Sequence, residues 1–314
     1  MNTKATHRLY IIVLLFITAV VLCTLPFLLV KKDTIYVYTK NLIPDSRERG
    51  LVLELKELGY EVKVNQKPSK QKETALWFRL PHNIKEIMSN TKFTYNFIYN
   101  EEYYPFEYEN LEEMPILLTP YQDLYEHYMR QNIKSATFVL GANQREYNII
   151  NTKNKTDIVY YENRNKDTNL LSHLTLLGNV KFLGRFWNNN ISPTASLELI
   201  AENENKILSK AKYTIIDNHK DNNLIPEELL NASLTSTLIL TPSNSRVYNI
   251  YKDSIVYFDN PKDIEHLISY YEQNSSIAQE KSLRAQNITA NQLSSSSSAK
   301  RFQELLNWLK SNKI

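Results

Sequence analysis

The stretch from Leu9 to Val30 contains no charged side chain. It limits the fold more than any other feature, because a surface that is apolar on every side has to be hidden from water. At 1.5 Å per residue a helix over these residues reaches about 33 Å, against a hydrocarbon core of about 30 Å. Residues 9–30 are therefore expected to form one transmembrane helix behind a short tail, residues 1–8. Pro26 lies in its last turn, where membrane helices tolerate proline. A cleaved signal peptide is the rival reading. Its apolar region would be long, and residues 22–30 offer no small-x-small cleavage site. Orientation stays open. Lys4 and Arg8 precede the run and Lys31, Lys32 and Lys40 follow it, so the positive-inside rule votes almost equally both ways.

The chain has 314 residues, 42% of them hydrophobic, which suffices for one large or two medium cores. Lys and Arg total 37 against 34 Asp and Glu. Four of the basic residues (Lys4, Arg8, Lys31 and Lys32) flank the apolar run, so the remainder is close to neutral. No positive field exists to attract nucleic acid. Only five glycines are present, which argues against a Gly-rich loop cradling phosphate. The sole cysteine, Cys23, sits inside the apolar run, so no intramolecular disulfide forms. One cysteine and six histidines are too few for a Cys/His zinc site, while a carboxylate-held metal stays open. Sequons at Asn154, Asn231, Asn274 and Asn287 are acceptors only in a secretory lumen.

Beyond the apolar run, short β-rich runs alternate with helical periods. Strands are expected at 35–38, 61–64, 74–78, 93–99, 115–119 and 136–140, with helices at 47–58, 81–89 and 121–131. This alternation implies a parallel α/β sheet and a first lobe over residues 34–147. The Asn-rich stretch 148–155 reads as a linker. The pattern then restarts as a second lobe over 155–290. Its expected strands are 157–161, 180–183, 213–216, 237–240 and 254–258, and its expected helices are 168–177, 195–210, 226–234 and 263–271. Five serines, Ser294 to Ser298, read as a break. A helix over 299–314 follows, with Phe302, Leu305, Leu306 and Leu309 on one face to dock on the core. The expected fold class is thus α/β, with two Rossmann-like lobes behind one N-terminal transmembrane helix.

Ligands of open α/β sheets bind beyond the C-terminal strand ends. There the most informative stretch is Tyr213 to Ala232. A strand ends in Asp217-Asn218-His219, and Ile225-Pro226-Glu227-Glu228 opens a helix that continues to Asn231 and Ala232. Proline and two carboxylates suit a first helical turn on structural grounds alone. Glu227, if it faces a cleft, is also suited to accept both hydroxyls of a ribose or sugar ring. Asp217 and Asn218 either orient the same ligand or cap the turn.

These residues resemble the donor-binding C-terminal lobe of the fucosyltransferase-type GT-B glycosyltransferases. Asp217, Asn218 and His219 stand where that family has Glu-Asn-Ser. Ile225, Pro226, Glu227 and Glu228 stand at its Val-Thr-Glu-Lys, and Asn231-Ala232 match its Asn-Ala pair. Val180 to Gly184 with Asn188 resembles its strand–Gly–Asn element, and Pro242 with Ser254-Ile255 its last one. The resemblance covers about residues 157–290, whereas the first lobe shares only the GT-B outline. A glutamate, Glu228, replaces the family's diphosphate-associated lysine. Like charges 4 Å apart interact by about 4 kcal/mol at an effective dielectric of 20, so the reversal bears directly on donor binding.

The resemblance implies transfer of a sugar from a nucleotide-sugar, of GDP type in this family, to a glycan or glycolipid acceptor. The nucleotide-sugar is a co-substrate, no firmly bound cofactor is expected, and Mn²⁺ or Mg²⁺ stays open as its counter-ion. Asp217, Asn218, Glu227 and Asn231 are the donor-side candidates. Arg164 and Arg185 are suited to clamp the diphosphate bidentately, and otherwise are surface arginines. Inverting transfer needs a base for the acceptor hydroxyl. Asp45, His82 and Glu101, all expected after first-lobe strands, are the candidates, and Asp45 serves equally as a turn or cap residue. The lipid bilayer is a partner through residues 9–30, either as a bacterial inner membrane with the domain inward or as a Golgi-type membrane with it in the lumen. The alternative function is a catalytically inactive GT-B-like domain that binds a glycan or protein at a membrane. A membrane-anchored structural protein with a generic α/β pattern is the third.

Overall fold

Strands of a parallel sheet covered on both faces are apolar on both faces, and the central runs of this chain meet that condition. The computed structural model describes residues 33–40, 42–43, 46–66, 73–78, 93–100, 115–147, 155, 157–161, 170, 172–174, 177, 180–183, 204–217 and 225–312. In the first lobe lie β1 (Thr34–Tyr38), β2 (Glu61–Val64), β3 (Glu73–Phe78), β4 (Phe93–Tyr99), β5 (Ile116–Thr119) and β6 (Ser135–Thr137). They form one sheet in the order β2-β1-β3-β4-β5-β6, with every pair parallel. The second lobe holds β7 (Asp157–Tyr161), β8 (Val180–Leu183), β9 (Ala211–Ile215), β10 (Leu238–Pro242) and β11 (Val256–Phe258). Their order is β11-β10-β9-β7-β8, again parallel throughout.

Both sheets follow one doubly wound plan. In each, the second strand lies outside the first, and the third lies on the first strand's other side. The winding direction therefore reverses between β1 and β3, and again between β7 and β9. Such reversals open a crevice at the C-terminal strand ends.

Helix α1 (Arg47–Glu57) follows β1 and buries Leu51, Val52 and Leu55 on the first sheet. Ser46 caps it, its hydroxyl accepting from the Arg49 N–H at 3.2 Å. Gly59 ends it in the left-handed region, at φ +94°, which favours glycine. Helix α2 (Gln122–Arg130) covers the sheet near β5 and β6. In the second lobe come α3 (Glu204–Lys210), α4 (Glu227–Leu234), α5 (Ser245–Tyr251), α6 (Asp263–Gln273), α7 (Ser275–Gln292) and α8 (Ser295–Asn312).

Several expectations change. The expected strand over 136–140 is shorter, ending at Thr137, although Phe138 and Leu140 remain buried. Helices α5 and α7 escape the pattern: α5 spans only seven residues, with Val247 and Tyr251 as its buried face, and α7 carries no period of large apolar side chains. The buried face of α7 is Ala278, Ser282, Ala285 and Thr289, all small, at helical spacing. Small side chains let it lie close to α4, where the Thr289 and Ser233 hydroxyls are 2.6 Å apart.

The break is shorter than the serine run and falls at Leu293 and Ser294, between α7 and α8. Ser295 to Ser298 form the first turn of α8. The Ser294 N–H donates to Ser297 Oγ at 3.1 Å, and the Ser297 N–H donates back to Ser294 Oγ at 3.3 Å. The pair makes a reciprocal cap. Helix α8 then returns to the first lobe, placing Ala299, Phe302, Leu306 and Leu309 in its core beside Leu51, Phe97 and Phe138. The Phe302 and Phe97 rings meet edge to face, 5.1 Å between centroids.

The expected transmembrane segment, residues 9–30, lies outside the described residues, as do the expected helix at 81–89, half of that at 168–177 and most of that at 195–210. Among the described residues no helix is long and apolar enough to cross a membrane.

Candidate functional site

Among the described residues an ion pair joins the helices that follow the two winding reversals. Arg47 opens α1, after the loop from β1. Glu227 opens α4, after the loop from β9. Arg47 Nε and Glu227 Oε2 are 3.3 Å apart, the side chains being 8% and 24% exposed. Arg47 also donates through Nη1 to the Leu140 carbonyl at 3.3 Å. Pro226 stands one position before the helix, as its N-cap, and its carbonyl accepts from the Leu230 N–H at 3.2 Å. Glu227 thus holds the first helical position, where the positive end of α4 favours a carboxylate.

A second contact crosses the cleft beside the first. Arg246 in α5 donates through Nη2 to the Pro120 carbonyl just past β5. Its guanidinium carbon lies 6.0 Å from the centre of the Tyr121 ring. Asn244 caps α5, its side-chain oxygen accepting from the N–H groups of Arg246 and Val247, each at 3.0 Å.

Beneath Glu227 lies a buried polar network. Tyr161, the last residue of β7, donates to Glu204 Oε2 at 2.9 Å, and Tyr147 donates to the same oxygen. Asn231 in α4 donates through Nδ2 to the Tyr161 hydroxyl at 3.4 Å. Burial, followed by the charges of Tyr147, Glu204 and Glu228, holds the Tyr161 phenol well above its ordinary pKa. It therefore stays protonated and serves as a donor. Tyr147 comes from the segment joining the lobes, Tyr161 from β7 and Glu204 from α3. The network fixes the platform on which α4 rests.

The candidate residues divide accordingly. Glu227 stands in the cleft, and Asp217 follows β9 at the same end of the sheet. Asn231 is only 2% exposed and bonds inward to Tyr161, so it supports the platform. That burial also removes its sequon from glycosylation in the folded protein. Glu228 is buried as well, and its charge helps to hold the Tyr161 phenol protonated. Asp45, His82, Glu101, Arg164, Arg185 and Asn218 lie outside the described residues. Among the described residues no group of three or more His, Cys, Asp or Glu side chains is arranged to hold a metal ion.

Arg47, Arg246 and the Glu204 network escape the sequence reading. One signal for Arg47 was present. A positive side chain in a first helical turn opposes the helix dipole, so an arginine there needs another reason to stay. A cavity of about 600 Å³ lies near the far ends of α1 and α4, lined by Glu54, Glu57, Arg145, Tyr147, Leu234 and Gln286 among others. Its charges answer each other, with Arg145 Nε 2.9 Å from Glu54 Oε1.

No protein-family model matches the chain, and no curated protein matches it. Solved structures do match. A sucrose-phosphate synthase from Thermosynechococcus elongatus superposes with a TM-score of 0.62 at 8% identity, over 90% of this chain and 100% of that one. A glycosyltransferase from Rickettsia africae gives 0.59 at 12% identity, over 90% and 100%. HepE from Anabaena, in complex with UDP-glucose, gives 0.57 at 9% identity, over 88% and 100%. The chain shares their two-lobed α/β architecture, the GT-B fold.

Proposed function

We propose that this protein transfers a sugar from a nucleotide-sugar donor to a glycan or glycolipid acceptor at a membrane surface. The observation that carries the reading is Glu227 at the positive end of α4, at the point where the two winding reversals meet. A carboxylate there is placed to accept two hydroxyls of a ribose or sugar ring. In this reading the second lobe holds the donor, with Asp217, Asn218, Arg164 and Arg185 around it. The first lobe supplies the acceptor site and the general base, drawn from Asp45, His82 and Glu101. The resemblance of residues 213–258 favours a GDP-linked donor, whereas the UDP-glucose held by HepE makes UDP sugars the second choice. Residues 9–30 would hold the domain where a glycolipid acceptor lies.

A thermal-shift screen of the full chain in detergent against GDP- and UDP-sugars, with and without Mn²⁺ or Mg²⁺, tests the reading. A donor that binds only the folded state at 100 times its Kd stabilises by about 2.7 kcal/mol. Glu227→Ala is expected to abolish that shift while the protein remains folded. No shift with any donor would instead favour an inactive binding domain, a reading supported by the buried Glu228 where the resembling family has lysine. Protease protection of the C-terminal domain in sealed membranes tests the anchor and its orientation.

A further inference from the structure

We propose that Arg47, from the acceptor-side lobe, is a further cation that receives the donor's diphosphate, beside the second-lobe arginines, and that Glu227 holds it in waiting in the empty protein. The inference rests on the nucleotide-sugar reading and adds a residue that the resemblance does not supply. The first turn of α4 carries two carboxylates, Glu227 and Glu228, and no basic residue. A diphosphate docking at that turn therefore needs positive charge from elsewhere. Among the described residues Arg47 supplies such a charge, its Nε 3.3 Å from Glu227. It is nine-tenths buried, which removes competing water and strengthens its field. It also opens an 11-residue helix, whose N–H dipoles point the same positive end into the cleft.

The geometry allows an exchange. A guanidinium carries five N–H donors in a planar fork that matches phosphate oxygens two at a time. Nε is turned to Glu227, and Nη1 anchors the group on the Leu140 carbonyl. When ribose hydroxyls occupy Glu227, the carboxylate no longer needs Arg47, and the adjoining diphosphate takes its place as the anion. Arg47 then bridges its own lobe to the donor, so the cleft stays closed with the donor inside.

Calorimetry on the full chain in detergent separates this role from a merely structural one, with GDP, UDP, guanosine and uridine as probes. The readout is the ratio of nucleoside Kd to nucleoside diphosphate Kd. Arg47→Gln is expected to weaken the diphosphate about tenfold or more and the nucleoside less than about twofold, the size of one lost charged hydrogen bond. Arg47→Lys keeps the charge without the fork, and its ratio should fall between the two. Glu227→Gln should weaken nucleoside and diphosphate together and preserve the ratio. Equal weakening of both ligands by Arg47→Gln, or tightening of both, overturns the proposal. Should Arg47→Gln fail to fold, an unchanged ratio in Arg47→Lys overturns it. A wild-type protein that binds none of the four probes removes the transferase reading itself, and this inference with it.

Discussion

A buried carboxylate is tolerated only when its lone pairs are met, and Glu204 shows how this chain does it. Two tyrosines, one from the interlobe segment and one from β7, donate to a single oxygen. Removing one leaves charge with fewer donors in a place water does not reach. Tyr161→Phe is therefore expected to cost about 1–3 kcal/mol, read as a lower urea midpoint with an unchanged slope. The same substitution also strips Asn231 of its partner, so α4 and Glu227 should loosen and donor affinity should fall with stability. None of this is written locally. Tyrosine, glutamate and asparagine each have many ordinary uses, and only the fold brings these four together.

The segment after β6 passes close against the junction of α7 and α8, the Ala142 N–H donating to the Leu293 carbonyl at 2.9 Å. The Gly141 N–H donates to the Ser298 hydroxyl at 2.9 Å, and that hydroxyl reaches the Val139 carbonyl at 2.9 Å. A Cβ on Gly141 would lie 2.3 Å from the Leu293 carbonyl oxygen, a backbone atom that cannot swing aside. Gly141→Ala should destabilise by about 1–3 kcal/mol or more and detach α8 from the first lobe, visible as faster amide exchange in residues 295–312. Phe302→Ala, which empties the centre of that contact, should cost about 3–5 kcal/mol by denaturant unfolding. The serine run reads as a break in isolation because its hydroxyls compete with the helix for backbone partners. Here the hydroxyls cap the helix and fill the narrow space between two backbones. Helix α7 was hidden for a related reason, since its contact face is built of small residues that a search for large apolar side chains passes over.

For the whole molecule, pH-dependent stability follows from buried groups in both lobes. Burial pulls the Lys155 ammonium down to about 8, while it donates to the Thr235 and Ser236 carbonyls at the end of α4. The unfolded lysine titrates near 10.4, so between about pH 8 and 10 the unfolded chain binds more protons and stability rises with pH. Burial also pushes Tyr38 and Tyr251 up to about 12. Unfolded tyrosine titrates near 10, so above that pH the folded state holds more protons and stability falls again. Urea midpoints measured from pH 7 to 11.5 should pass through a maximum near pH 10, and Lys155→Met should flatten the rising limb alone.

By itself the sequence determined the class of fold. Parallel strands buried on both faces must be continuously apolar, and the helices between them must carry one apolar stripe, so the two runs of parallel strands are visible as local patterns. It also marked the start of α4, because a proline followed by carboxylates suits a helix entrance wherever it occurs. What it left undetermined is which side chains share a site. Strand order, the two winding reversals and the return of α8 to the first lobe are set by packing between segments far apart in the chain. Tertiary structure alone therefore brought Arg47 to Glu227, since nothing near either residue in sequence encodes the other.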